Sequence, residues 1–510
     1  MATKGAKSRR EFFIERAKGF ARQVFRSKRG TAGILILAFF TAIALAAPIL
    51  AKHNPTYDYH VSGLRACPSW FKYFVPADVN ENFDATEKPG FYTENSIGDW
   101  NITIFQSSNA IIRYEFNNSF GSLKSGPGSL QIFMKRVNPD VPSNVSTIII
   151  EPRKDYYLPS VAPPKRFIVP VSFFAEGVEN LTSVNVRIDI INLEKGNVTT
   201  LAFMKIKSST EGWVEPAPRV DSYDTSFKSK IGGMFEVTVD PVEVIFTNRG
   251  YYRIRVEISF MDDQPLVKAA PVLFYIDDLN FKVYGNSYGL LGTDDQGRDI
   301  FSQLVYGAQI SLFVGIVSSV VSVVIGLFVG LVAGFVGGVV DEILMRITDA
   351  LLVIPTLPLM IVLIAVLSPS IWNIILVIGV LGWMGFARTV RSQTLSLKER
   401  TFVEAARAAG GGTFHIIRYH IIPNVMSLVY VSLATSVPSA IVSEAALSWL
   451  GLFDPNIMSW GKMLHDAQNY IYLWWWVIPP GLCIALVALS FILIGYAIDD
   501  ILNPKLRERR

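Results

Sequence analysis

Few residues in this 510-residue chain have types and spacing suited to chemistry. Its five histidines, His53, His60, His415, His420 and His465, lack the cysteine or carboxylate spacing of a metal site. Its two cysteines, Cys67 and Cys483, are far apart in sequence, and the second lies in a long apolar run, so disulfides are not expected to stabilise the fold. The sequence has no G-x-x-x-x-G-K-S/T phosphate loop and no serine in a nucleophile elbow. Catalysis within this polypeptide is therefore not expected. What remains is binding chemistry, concentrated in "EAARAAGGGTFHIIRYHIIPN" (404–424). Alanines there offer a flat face that another protein can approach closely. Glu404 and its neighbouring arginines can pair with charges on that partner. Gly410 to Gly412 interrupt the helix formers, and Pro423 opens the next apolar run. The pattern predicts two short helices with a bend, acting as a docking element.

Such an element has to be held by something, and the chain is half hydrophobic residues. An apolar helix needs about 20 residues to cross a bilayer core. Thr31–Leu50, Ile310–Val340, two segments within 350–387 divided at "LSPSIW" (367–372), Asn424–Ser443 and Ile471–Ile498 predict six spans. The first 30 residues carry ten lysines and arginines, among them Arg9, Arg10, Arg22, Arg26, Lys28 and Arg29. Basic residues mark the cytoplasmic side. The loop at 388–423 and the ending "NPKLRERR" are basic too, whereas the loop before the last span has a single lysine, Lys462. All three observations place both termini and the docking loop in the cytoplasm. A cleaved signal peptide ending near "ALA" (44–46) is the alternative for the first span. Phe13, Ala17, Phe20 and Val24 share one face of the preceding segment, which suits a basic amphipathic helix on the inner membrane surface, or else a solvated tail.

Residues 52–305 then fall outside the cell. This block holds 25 basic and 30 acidic residues, against 22 and 13 elsewhere, so the two parts carry −5 and +9. That asymmetry suggests two environments and not nucleic-acid binding. Short alternating runs such as "VNVRIDIINL" and "YYRIRVEISF" predict strands. They suggest an inserted all-β sandwich over about 85–285. Its start "WNITIFQSSNAIIRYEFNNSFGSLKSGPGSLQIFMK" and its end "YYRIRVEISFMDDQPLVKAAPVLFYIDDLNFKVYG" resemble the two ends of a galactose-binding-like jelly roll, with an immunoglobulin-like sandwich as the alternative. Trp100 and Trp213 could stack on a sugar, although a place in the core is the better reading. The N-x-S/T sequons, Asn101, Asn117, Asn144, Asn180 and Asn197, all lie in this block.

Within the membrane part, Gly326, Gly330 and Gly334 recur every fourth residue, a spacing that lets another helix approach closely. Asp349, Glu444, Asp499 and Asp500 lie near span ends and read as structural or gating pairs, with Arg346 or Arg388 as partners, rather than as a proton path.

The docking segment resembles the EAA loop of ABC importer permeases. Glu404, Ala405, Ala406, Gly410 and Pro423 match that pattern, with Arg407 inside it. The ending "HIIPN" is the variant of the dipeptide/oligopeptide/nickel family. "LGTDDQGRDIFSQLVYGAQISLFVG" (291–315), "SEAALSWLGL" and "SWGKML" resemble the same family, and in particular the second of its two paired permeases. Typical members lack the large outer insertion. The resemblance implies a polytopic α-helical type I importer permease in the cell membrane, with a tail at 1–30, a first span at 31–51, a five-helix domain at 306–498 containing the loop at 388–423, and a tail at 499–510. It also implies a sister permease, two cytoplasmic ATPases that hold the ATP and Mg, and an outer solute-binding protein. This chain would bind no cofactor and contact lipid. Short peptides are the expected cargo, with oligosaccharides or nickel as alternatives. A membrane-anchored receptor fits poorly, because six spans exceed what an anchor needs and no inner signalling domain is legible.

Overall fold

The computed structural model describes residues 23–502 except 76–78, 87–89, 123, 125, 139, 160–161, 236–239 and 264–270. Most of the basic amphipathic tail and the "NPKLRERR" ending lie outside the described residues. The chain divides into two compact units, residues 1–59 with 298–510, and residues 60–297.

The first unit is helical. Its long helices are α1 (Lys28–Leu45), α2 (Ile300–Val336), α3 (Gly338–Val353), α4 (Thr356–Leu367), α5 (Ile371–Gly382), α6 (Met384–Lys398), α7 (Thr401–Ala408), α8 (Ile422–Trp449), α9 (Trp460–Ala467) and α10 (Trp474–Leu502). Helix α2 starts earlier than the apolar window at Ile310 suggests, because Asp299 caps it, accepting from the amides of Phe301 and Ser302. Its 37 residues rise about 55 Å, more than a bilayer core needs. Among the described residues five helices are long and apolar enough to cross a membrane, and six spans result if the pair α3–α4, bent by 92°, counts as one. Pro355 explains the bend. The residue before a proline is pushed out of the helical region, and Ile354 is extended at φ −74°, ψ 128°.

The helices pack through glycines and an apolar core. Gly33 of α1 lies so close to α10 that a Cβ would sit 2.6 Å from the Ser490 carbonyl oxygen. Val314, Ile364, Ile374, Met384, Ala440 and Leu447 bring α2, α4, α5, α6 and α8 into one buried cluster.

The second unit is β-rich. One sheet has the order β10 (Val198–Ile206), β9 (Ser183–Asn192), β12 (Gly250–Asp262), β5 (Asn144–Pro152), β2 (Trp100–Phe105), with β6 (Tyr156–Leu158) also on β12. Another runs β3 (Ala110–Asn117), β4 (Ser129–Arg136), β13 (Val272–Asp277), β8 (Ser172–Glu176). A small third sheet runs β1 (Phe83–Asp84), β14 (Lys282–Tyr284), β7 (Arg166–Val169), β11 (Val220–Asp221). The paired strands within these sheets are antiparallel. Strand β12 shows why the sheets stack. Its burial alternates without a break, so Tyr252, Ile254, Val256, Ile258 and Phe260 all point inward. They share a core with Ile132, Met134 and Phe274 of the second sheet, and the Phe260 and Phe274 rings meet edge to face at 6.3 Å.

Candidate functional site

The 401–424 segment forms α7, a glycine turn, a short helix at Thr413–Ile416 and a π-helical turn at Ile417–Ile421 that runs into α8. Glu404 lies in the first turn of α7 and Arg407 in the last, each complementing the helix dipole. The helix stops at Gly410, whose φ of +87° belongs to the left-handed region that glycine enters without cost. The amides of Gly410 and Gly411 close onto the carbonyls of Arg407 and Ala406. Pro423 has no N–H to donate into the preceding turn. The π-helical turn lies just before it, and Asn424 Nδ2 donates to the His420 carbonyl at 2.7 Å.

The segment has two faces. Val403, Ile416, Ile421 and Val425 are buried against Leu331 and Phe335 of α2 and Val390 and Leu397 of α6. Glu404, Ala405, Arg407, Gly410 and Pro423 are exposed, while Ala406 is half-buried against that cluster. Sequence reasoning missed the aromatic part of the open face. Phe414 is 74% exposed, and Phe402 and Tyr419 are exposed with it. His415 lies 4.8 Å from the Tyr419 ring, and the Arg418 guanidinium lies over the same ring at 5.6 Å. No local signal marks Phe402 or Phe414, since one abuts Val403 and the other lies two residues from Ile416.

Gly326, Gly330 and Gly334 all face α6 and the residue that precedes it. Added Cβ atoms would lie 2.8 Å from the Trp383 carbonyl oxygen, 2.5 Å from that of Ala387, and 2.9 Å from that of Arg391. Helix α6 leads directly into the segment, so backbone-to-backbone contact joins the segment's base to α2. Two ion pairs add to the grip on α6. Arg391 binds Asp341 of α3 through Nε and Nη2, the latter at 2.6 Å, and Arg388 binds Asp349. Arg346 faces Glu342 instead, at 4.0 Å. Asp499 and Asp500 are exposed.

At the other end of α2 the "GRDIFSQLVYGAQ" and "SWGKML" stretches meet. Trp460 is fully buried, its indole N–H donates to the Leu304 carbonyl at 2.9 Å, and a Cβ at Gly307 would lie 2.7 Å from its ring. Glu444 is buried beside it and accepts hydroxyl hydrogen bonds from Ser448 at 2.8 Å and Ser459 at 2.7 Å. Arg298 pairs with Asp466 at 3.0 Å. Burial holds the Lys462 ammonium below its usual pKa, and Lys462 Nζ donates to the Pro455 carbonyl at 2.6 Å.

In the β unit, Trp100 is in the core and Trp213 stacks on Phe120 at 5.5 Å. Asn101, Asn144 and Asn197 are exposed, and Asn117 and Asn180 half-buried. Cys67 and Cys483 are both free thiols.

The family model for the binding-protein-dependent transport system inner membrane component matches residues 326–508. The dipeptide transport system permease protein DppC of Bacillus subtilis is 41% identical over 219 residues, 42% of this chain and 68% of that one. DppC of Escherichia coli K12 is 44% identical over 226 residues, 44% of this chain and 75% of that one. A solved inward-facing structure of the MetNI methionine ABC transporter is 19% identical with a TM-score of 0.32, covering 41% of this chain and 96% of that chain.

Proposed function

The chain belongs to the family of binding-protein-dependent transport system inner membrane components, and from that premise we propose that it is one of two paired permeases in an ATP-driven importer of short peptides. Helix α7 and the turn after it dock on a cytoplasmic ATPase through Glu404, Ala405, Arg407 and the exposed aromatics. A sister permease supplies the other half of the path, and an outer binding protein delivers cargo. The bent α3–α4 pair counts as one span, which gives six crossings, both termini inside, and a jelly-roll β unit outside.

The observation that carries this reading is the two-faced loop. Its underside is welded to α2 and α6 by one apolar cluster, those two helices are held together by glycine contacts, and its upper side is open. When a motor subunit moves the open side, the welded side moves the spans as a rigid body, biasing the equilibrium between inward-open and outward-open states. A free polar loop could not transmit that motion.

Two experiments test it. The chain is purified with its cognate ATPases, and Glu404→Lys and Gly410→Trp are compared with wild type. Loss of assembly or of transport-coupled hydrolysis is expected; unchanged coupling in both would remove the docking role. Calorimetry on the cognate binding protein with tetrapeptides, maltotetraose and nickel then decides cargo, and peptide binding alone is expected.

A further inference from the structure

The β unit contains a cleft of about 470 Å³, within the size range of small-molecule sites. Strands β7, β8, β11 and β14 border it, together with the segment from Glu215 to Arg219. Its apolar lining is aliphatic: Ile168 and Pro170 are half-buried and open to it, whereas Val169, Val171 and Val220, 2–3% exposed, belong to the core behind. Its charged lining comprises Lys124, Arg166, Arg219 and Lys282 against Glu215, Asp221 and Asp278, four cations to three carboxylates. This positive excess occurs in the block of the chain that carries −5 overall.

The cations differ in what they have left to give. Arg166 is committed. Its Nε and Nη2 bind both oxygens of Asp221 at 2.9 and 2.5 Å, and the rings of Tyr223 and Tyr284 lie 4.8 and 5.4 Å from its guanidinium carbon. Asp278 is buried and takes the hydroxyls of Ser122 and Ser172 at 2.7 and 2.5 Å. Arg219 is the opposite case. It gives Nε to Glu215 at 2.5 Å, yet its side chain is 71% exposed. Glu215 also receives Lys124, and Lys282 lies 3.6 Å from Asp84. The exposed edge of the Arg219 guanidinium has the planar fork that matches a carboxylate.

A bare inorganic anion would leave the aliphatic lining uncovered. A sugar would find no aromatic face among the described lining residues. We propose that this cleft binds the C-terminal end of a short aliphatic peptide, its carboxylate held by Arg219 with Lys124 and its side chains against Ile168 and Pro170. The inference borrows the choice of peptide from the function proposed above; the carboxylate and the aliphatic lining come from the cleft itself. It gives the outer unit a role in holding cargo, independent of the binding protein.

The test uses the full chain in lipid nanodiscs with no binding protein or ATPase, titrated by calorimetry with tetra-alanine, tetra-alanine amide and maltotetraose. Tetra-alanine is expected to bind, and the amide at least tenfold more weakly. Arg219→Ala should weaken tetra-alanine at least tenfold, and Arg219→Lys by less. Arg219 is mostly exposed, so these variants should fold, and matching thermal melts confirm it. Absence of tetra-alanine binding, equal binding of the amide, insensitivity to Arg219→Ala, or binding of maltotetraose lost with Arg219→Ala would each overturn the proposal. Peptide binding to the binding protein is measured separately, so a failure here leaves the importer reading standing.

Discussion

Gly330 lies directly against the Ala387 carbonyl, and a Cβ added there would meet that oxygen at 2.5 Å and Val390 Cβ at 2.6 Å. Neither neighbour can yield, one being backbone and the other a β-branched stem on a rigid helix. Gly330→Val must therefore push α2 and α6 apart. Overpacking of this kind costs about 1–3 kcal/mol. The matched control is Gly385→Ala, on the same helix pair, where a Cβ meets open space among the described residues and alanine is the better helix former. Thermal unfolding of the purified chain in detergent should show a lowered midpoint for Gly330→Val and an unchanged or raised one for Gly385→Ala. Equal midpoints would mean that the seam does not hold the helices.

The pair Asp341–Arg391 should couple more strongly than Glu342–Arg346, although both involve α3. Arg391 meets Asp341 with two nitrogens in a site where the carboxylate is largely covered. Arg346 and Glu342 are mostly exposed and 4.0 Å apart. Removing one partner of a covered pair strands the other, whereas exposed pairs are worth about 0–1 kcal/mol. Double-mutant cycles on thermal stability, with Asp→Asn or Glu→Gln and Arg→Met, should give about 1–3 kcal/mol for the first pair and under about 0.5 kcal/mol for the second. A larger value for Glu342–Arg346 would reverse the assignment.

These two contrasts mark how far the sequence could be read. Composition and apolar length located the long helices because a membrane span is a one-dimensional signal. The glycine spacing at 326, 330 and 334 announced a close approach, but nothing in one chain's periodicity says which helix approaches; that needed α6 in place. The α3–α4 bend was hidden because 350–366 is uncharged throughout, and the proline at 355 reads equally as a kink or an end. The two short helices and the turn between them at 401–416 were legible from the helix formers around Gly410. Their exposed aromatics were not, since Phe402 and Phe414 look like core residues until Val403 and Ile416 are seen to occupy the core instead. The cleft at Arg219 joins residues up to 158 positions apart, from Lys124 to Lys282, and left no local pattern.

Asp262 gives the β unit an acid sensitivity of defined sign. It is 1% exposed and binds Arg136, whose Nε lies 2.7 Å away, and it also accepts from the Ser143 amide at 3.0 Å and the Ser143 hydroxyl. Burial alone would push this carboxyl up, but the Arg136 and Ser143 bonds outweigh it and hold it below the usual 3.8. A depressed carboxylate contributes stability above its unfolded pKa and loses it as pH falls through the folded value. Asp262→Asn leaves Arg136 buried without its counter-charge, at a cost of about 3–5 kcal/mol. Denaturant unfolding followed by tryptophan fluorescence should find the variant weaker at pH 7, with the gap to wild type narrowing below pH 3.8. A gap that widens on acidification would contradict the sign.

If the 401–424 segment docks a motor as proposed, its two faces should separate stability from coupling. Val403 is fully buried under α7 among Leu331, Val390 and Ile421. Phe414, 74% exposed, touches no such core. Val403→Ser places a hydroxyl in an apolar cluster and removes buried methyl groups, so it should cost about 2–3 kcal/mol of stability. Phe414→Ala should leave the melting midpoint within error, because exposed substitutions stay within about 0.5 kcal/mol. In complex with the cognate ATPases the order reverses. An aromatic that fills a partner pocket typically costs about 1–2 kcal/mol or more on truncation, roughly a tenfold loss of affinity. Phe414→Ala should therefore weaken ATPase association and lower transport-stimulated hydrolysis while the isolated chain melts normally. If instead Phe414→Ala destabilised the isolated chain and left association untouched, the open face would belong to the fold and not to the motor.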